Sequence, residues 1–189
     1  MDKLRVGLKE WAIVCDLLLE GKLALLLRKG GIEERGGPGE FELEHPRFLL
    51  YPSWAHQRPE MIKEPHRARV QVLAEPGEIP FTGMGEAAGI WEVPSRAKFD
   101  QLDDLHCWTR PQIDMRFLYR PDRPLYLVAV RAYRLQASKT VTNLPAYAGC
   151  KSWVPLSEAD AVDVSGAVPA LDDAAFAVVV RRVNEVFGG

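Results

Sequence analysis

Two short stretches of this chain carry residue types that can do chemistry together. Arg28 and Lys29 end an apolar run and are followed by Gly30, Gly31 and Ile32. Glycine amides can approach a phosphate closely, and two cations beside them supply the charge. The competing reading is a basic pair that keeps a sheet edge solvated. The second stretch holds Tyr51, Pro52, Trp54, His56 and Gln57. Aromatic faces can stack an exposed base while Gln and His read its edge, as single-strand or flipped-base recognition requires. The alternative is that the aromatics pack inside and His56 bonds to backbone.

Other chemistries find weaker support. There is no G-x-x-x-x-G-K-[ST], and the glycines after Lys29 precede a loop instead of opening a helix. His45, His56, His66, His106, Cys107 and Cys150 are scattered without zinc spacing, so neither a metal nor another cofactor is expected. Glu60-x-x-Lys63 has the wrong spacing for a PD-(D/E)xK nuclease, and R-E-x-x-E-E, which a Nudix hydrolase needs, is absent. Cys150, in GCKSW, could act as a nucleophile with a His base; a buried structural thiol beside Trp153 is the plainer reading.

The elements that must position these residues follow from pattern. At 189 residues, 47% hydrophobic and 26% charged, the chain has the composition of one globular domain over residues 1–189. Burial of roughly 70% of the unfolded surface suffices at this length without disulfides. A formal net charge of −2 excludes a generic basic coat but leaves room for a basic patch. Three widely spaced cysteines and a charged N-terminus suggest reduced thiols and a cytoplasmic protein, and no apolar stretch is long enough for a membrane span.

Residues 8–20 read as a helix stopped by Gly21, although residues 11–19 also suit a buried strand. Residues 23–27 read as a buried strand, residues 33–40 as a Gly-rich loop around Gly36 to Gly39, and Phe41 and Leu43 as a half-buried strand. A strand at 48–51 runs into Pro52, where Ser53 is expected to cap a short helix carrying Trp54, His56 and Gln57. Residues 68–74 alternate as a strand, and residues 80–94 are Gly-rich and weakly patterned. Helical spacing begins at Asp100 and stops before Pro111. Residues 125–135 form the longest β-type run, expected at the centre of the sheet, with Arg131 on one face. Residues 152–156 read as a last short strand. A C-terminal amphipathic helix is capped by Asp172 or Asp173 and striped by Phe176, Val179, Val180, Val183 and Phe187.

The segments WAIVCDLLLEGKLALLLRKGGIEE, FELEHPRFLLYPSWAHQ, LHCW, PLYLVAVRAYRL and YAGCKSW together resemble the bacterial domain of unknown function family 1802. R-K-G-G-I and L-Y-P-x-x-x-H-Q are the most distinctive pieces, and Ser53 stands where the family usually has Thr. The resemblance implies a role near foreign or modified DNA, because members are found joined to a restriction-type endonuclease domain. A protein partner from such a system is implied in the same way.

The expected fold is therefore α+β, a mixed, largely antiparallel sheet or small barrel with a C-terminal helix. If residues 8–20 are helical, the order of elements and the Gly21-Lys22 turn resemble the PUA-like group. If they are a strand, the opening hairpin resembles a Nudix-like α/β/α sandwich. The favoured function is nucleic-acid binding, with DNA or RNA as partner. Arg28, Lys29 and Arg131 would contact phosphate, while Tyr51, Trp54, His56 and Gln57 would line a pocket for a modified or exposed base. Binding is expected there ahead of catalysis. A nucleotide or small-molecule enzyme, or a structural partner in a complex, is the alternative.

Overall fold

The computed structural model describes residues 2–29, 44–149 and 151–188. Gly30 and Gly31, the loop at Gly36 to Gly39, the strand expected at Phe41 and Leu43, and Cys150 lie outside the described residues.

The N-terminal segment resolves the helix-or-strand question by being both. After a two-residue strand β1 (Lys3–Leu4), strand β2 (Val6–Trp11) passes directly into helix α1 (Ala12–Leu19). Nothing local separates them, since no Gly or Pro intervenes and the junction residue Trp11 offers no side-chain cap. The cap arrives from elsewhere: Gln57 Oε1 accepts the Ile13 N–H at 3.0 Å. Six of the eight residues of α1 are buried, so its apolar pattern runs around the helix and carries no single face. The helix ends as its Gly21 predicts. Gly21, at φ +69°, donates to Leu18 O at 3.1 Å, and Lys22 N donates to Leu17 O at 2.9 Å. These two bonds are a Schellman closure, for which a residue without a Cβ is best suited.

Strand β3 (Leu25–Lys29) precedes β4 (Arg47–Ser53), and short helix α2 (Glu64–Arg67) leads to the long strand β5 (Glu78–Glu92). Helices α3 (Arg96–Asp100) and α4 (Arg110–Leu118) then precede β6 (Leu125–Thr142). Short strands β7 (Trp153–Pro155), β8 (Val162–Asp163) and β9 (Val168–Pro169) lead to helix α5 (Asp173–Phe187). The principal sheet has the order β3-β6-β5-β4-β2-β7, with β9 added to β6, while β1 and β8 pair separately. Among the described strands only β2 and β4 run parallel; their crossover contains α1 and β3. The fold is thus α+β with a mixed, largely antiparallel sheet, and β6 lies inside it between β3 and β5.

Strand β4 shows why burial falls on both faces. Phe48 and Leu50 join the larger core with α1, β3 and α5, while Leu49 and Tyr51 join a second core with Ile79, Phe81, Val141 and Val154. Alternate side chains of one strand serve opposite faces. The sheet also curls. Arg28, from edge strand β3, reaches Glu10 of β2, although three strands stand between them in sheet order.

Four local expectations need correction. The strand β4 continues through Pro52 to Ser53, and no helix follows there; residues 55–56 form a turn. Proline is tolerated because β5 pairs with β4 only over Arg47, Phe48 and Leu49, so β2 alone flanks Pro52. Residues 68–74 form no strand, with 71–74 exposed and Val72 and Leu73 more than half so, since no described strand pairs with them. The Gly-rich stretch is instead strand β5. Its glycines permit close approach: a Cβ on Gly83 would lie 2.2 Å from Leu19 Cδ2, and one on Gly85 2.7 Å from Phe48. Pro111, lastly, begins α4 instead of ending a helix, with its missing N–H at a position that needs none.

The C-terminal helix matches its pattern. Asp172 accepts the Ala175 N–H at 2.7 Å, and Phe176 and Val183 are buried. No helix among the described residues is long and apolar enough to cross a membrane.

Candidate functional site

A cleft of about 480 Å³ opens where the parallel strands β2 and β4 end. Its walls come from Lys9, Glu10 and Trp11 of β2, Arg28 and Lys29 of β3, Tyr51 and Ser53 of β4, and the turn residues Ala55 and His56. Glu75, Arg116 of α4, Asn143 just after β6, and the segment before β7 complete it. The crevice beyond the carboxyl ends of parallel strands is a recurrent ligand position, because strand ends diverge there and loops can enclose a space.

Charge in the cleft is one-sided. Among the described residues, Lys9, Arg28, Lys29, Arg116 and Lys151 face two carboxylates, Glu10 and Glu75. Several of these cations have internal duties. Arg28 Nη1 pairs with Glu10 Oε2 at 3.2 Å, both side chains being largely buried, and lies 3.4 Å from the Lys9 carbonyl. Lys29 Nζ donates to the carbonyls of Arg116 and Phe117 at 3.1 and 3.2 Å, satisfying groups in the last turn of α4. Burial lowers the pKa of Lys29 from its ordinary value. Lys9 Nζ donates to Tyr147 O at 2.8 Å and sits 4.9 Å from the centre of the Tyr51 ring. The Arg116 side chain makes no hydrogen bond or ion pair with the described residues; burial lowers its pKa, and Glu10 opposes that shift.

The floor is a polar network. Tyr51 is 1% exposed, and its hydroxyl donates to Asn143 Oδ1 at 3.1 Å. Its pKa is pushed up to about 12, first by burial and then by the nearby Glu75 and Tyr147. Asn143 Nδ2 donates to the Pro76 carbonyl at 2.9 Å, which fixes the amide. Glu75 Oε1 accepts from Ser53 Oγ and from the Ala55 N–H.

Of the sequence-predicted residues, the structure brings Arg28, Lys29, Tyr51 and His56 to one cleft. His56 is exposed at the rim in a left-handed conformation, φ 66°, which costs a residue with a Cβ. The other three lie elsewhere. Trp54 is not in the cleft wall and packs against the second core. Gln57 is 2% exposed; both ends of its amide are used, one on Ile13 N–H and one on the Gln71 carbonyl at 2.6 Å. Arg131 pairs with Asp173 and lies 5.8 Å from both the Tyr133 and Phe176 rings, so it fastens α5 to the sheet instead of facing the cleft.

Sequence reasoning missed Lys9, Glu10, Glu75, Arg116 and Lys151. Lys9 and Glu10 count in the sequence only toward a charged N-terminus, and Arg116 sits in a segment without a distinctive motif. Only the fold reveals their convergence. The two described cysteines are buried away from solvent. Cys15 and Cys107 are 3% exposed, and burial pushes both thiols up, Cys107 to about 12. No group of three or more potential metal ligands occurs among the described residues.

No curated protein and no solved structure matches the chain. The segments quoted from the sequence, from residue 11 to residue 153, lie within a family match over residues 7–182. On that match the chain belongs to the family described as domain of unknown function, DUF1802.

Proposed function

We propose that the chain is a nucleic-acid-binding accessory protein of the bacterial cytoplasm that takes an exposed or modified base, with its phosphate, into this cleft. The observation that supports the reading is the gathering of five cationic side chains against two carboxylates around a space of about 480 Å³. That size is typical of pockets for small organic groups, and an excess of cations favours an anionic ligand. Arg116, which makes no ion pair with the described residues, is best placed to meet phosphate, since Arg28 is held by Glu10, while Tyr51 and His56 border the space for a base. The order α1, Gly21-Lys22 turn and β3 supports a PUA-like kinship over that part of the chain alone, since β2 precedes it and no helix follows β4 directly, and a partner from a restriction-type system accords with the role.

Binding should weaken steeply with salt, because each neutralised phosphate releases counterion. Labelled single-stranded, duplex and base-modified oligonucleotides titrated at low and raised salt provide the test. A measurable affinity that falls as salt rises is expected. Absence of affinity for every oligonucleotide at low salt overturns the reading.

A further inference from the structure

The floor of the cleft contains one acceptor that no described residue satisfies. Glu75 is fixed through Oε1 by the Ser53 hydroxyl and the Ala55 N–H, the latter at 3.2 Å. Its second oxygen, Oε2, is buried without a hydrogen-bond partner among the described residues. Leaving a carboxylate oxygen so placed costs stability unless a ligand donates to it. Two neighbouring polar groups are already committed. The Tyr51 hydroxyl gives its proton to Asn143, and the Asn143 amide is committed to Pro76. The same carboxylate repels phosphate, so an anionic ligand must turn its charged end toward the cations and another group toward Glu75.

On the reading of the cleft as a nucleic-acid site, we infer that Glu75 selects the base, favouring one that presents an exocyclic amino group over one that presents carbonyls. A carboxylate accepts well from the amino group of cytosine, and likewise from that of adenine. Thymine and uracil offer one ring N–H between two carbonyl oxygens, which meet the carboxylate with like partial charge. Ser53 is the positioning residue, since it holds Glu75 by its other oxygen.

The sharpest probe is a pair of labelled single strands, oligo(dC) and oligo(dU), of equal length at pH 8 and low salt. Their bases differ in the amino-for-carbonyl exchange and the accompanying ring proton. The wild-type chain should bind oligo(dC) at least tenfold more tightly. In Glu75→Gln the amide oxygen can keep Ser53 and Ala55, while the amide nitrogen replaces an acceptor by a donor. That variant should lose the preference or reverse it. Equal binding of the two strands by the wild-type chain overturns the inference and leaves the nucleic-acid reading standing. A preference unchanged in a folded Glu75→Gln also overturns it. If neither strand nor any other oligonucleotide binds, the nucleic-acid reading itself falls.

Discussion

Gln57 and Ile13, 44 residues apart, are joined by a buried hydrogen bond in which the Gln57 amide oxygen caps the second residue of α1. The end of the Y-P-S-W-A-H-Q stretch therefore decides where β2 stops and α1 begins. One buried side chain defines a junction that the local residues leave undefined.

Gln57→Leu should consequently destabilise the fold by about 2 kcal/mol, since the Ile13 N–H is left buried without an acceptor. Urea unfolding would measure it. A loss below about 0.5 kcal/mol would mean that α1 is capped by other means.

The Arg28–Glu10 pair makes a second structural claim. With both side chains largely buried, Arg28→Met should cost about 3 kcal/mol by leaving Glu10 unpaired, and adding Glu10→Gln should recover much of that loss. A double-mutant cycle gives the coupling. Simple additivity of the two changes would show that the pair does not act as a unit.

The cleft and the α5 face separate two arginines that the sequence grouped together. Arg116→Ala should weaken oligonucleotide binding about tenfold and lower the salt slope by about one. Arg131→Ala should leave binding unchanged and loosen the packing of α5 instead, visible as faster amide exchange in that helix. The opposite pattern would move the interface from the cleft to α5.

His106 gives the fold a pH dependence. Its side chain is 1% exposed, stacked between Phe99 and Trp108, and neither ring nitrogen has a hydrogen-bond partner among the described residues. Burial, followed by the charge of Lys63, lowers its pKa from 6.5 to about 4, against the opposing pull of Asp103, Asp100 and Asp104. The unfolded chain then binds a proton that the folded chain refuses between those values. Stability is fully present above pH 6.5 and declines as pH falls toward about 4, by up to roughly 3 kcal/mol. His106→Phe should flatten this portion of the stability profile in urea titrations at several pH values. An unchanged profile would place the acid sensitivity in other groups.

The legible parts of the fold were those whose information is local. Gly21 announced its helix end, Asp172 its helix start, and the run centred on Val128 and Val130 a strand buried on both sides. Strand β5 was hidden because Gly83 and Gly85 are there to admit Leu19 and Phe48, a requirement set by packing and not by β propensity. The same division holds at the candidate site. Arg28, Lys29, Tyr51 and His56 were found from residue type and clustering. Gln57 had the right chemistry but was spent on α1, and Arg131 was spent on α5. Arg116 and Glu75 had no sequence signal, because each matters only for what the curled sheet sets opposite it.

Among the described residues the wall of the cleft is drawn from seven separate stretches, reaching from residue 9 to residue 152. Such a space exists only once the long-range strand pairings are complete, so occupancy and folding form one linked equilibrium. A ligand at about a hundred times its dissociation constant would add about 2.7 kcal/mol to the folded state. Melting temperature is therefore a direct reporter of occupancy for this molecule, and a screen of candidate ligands needs no knowledge of any reaction.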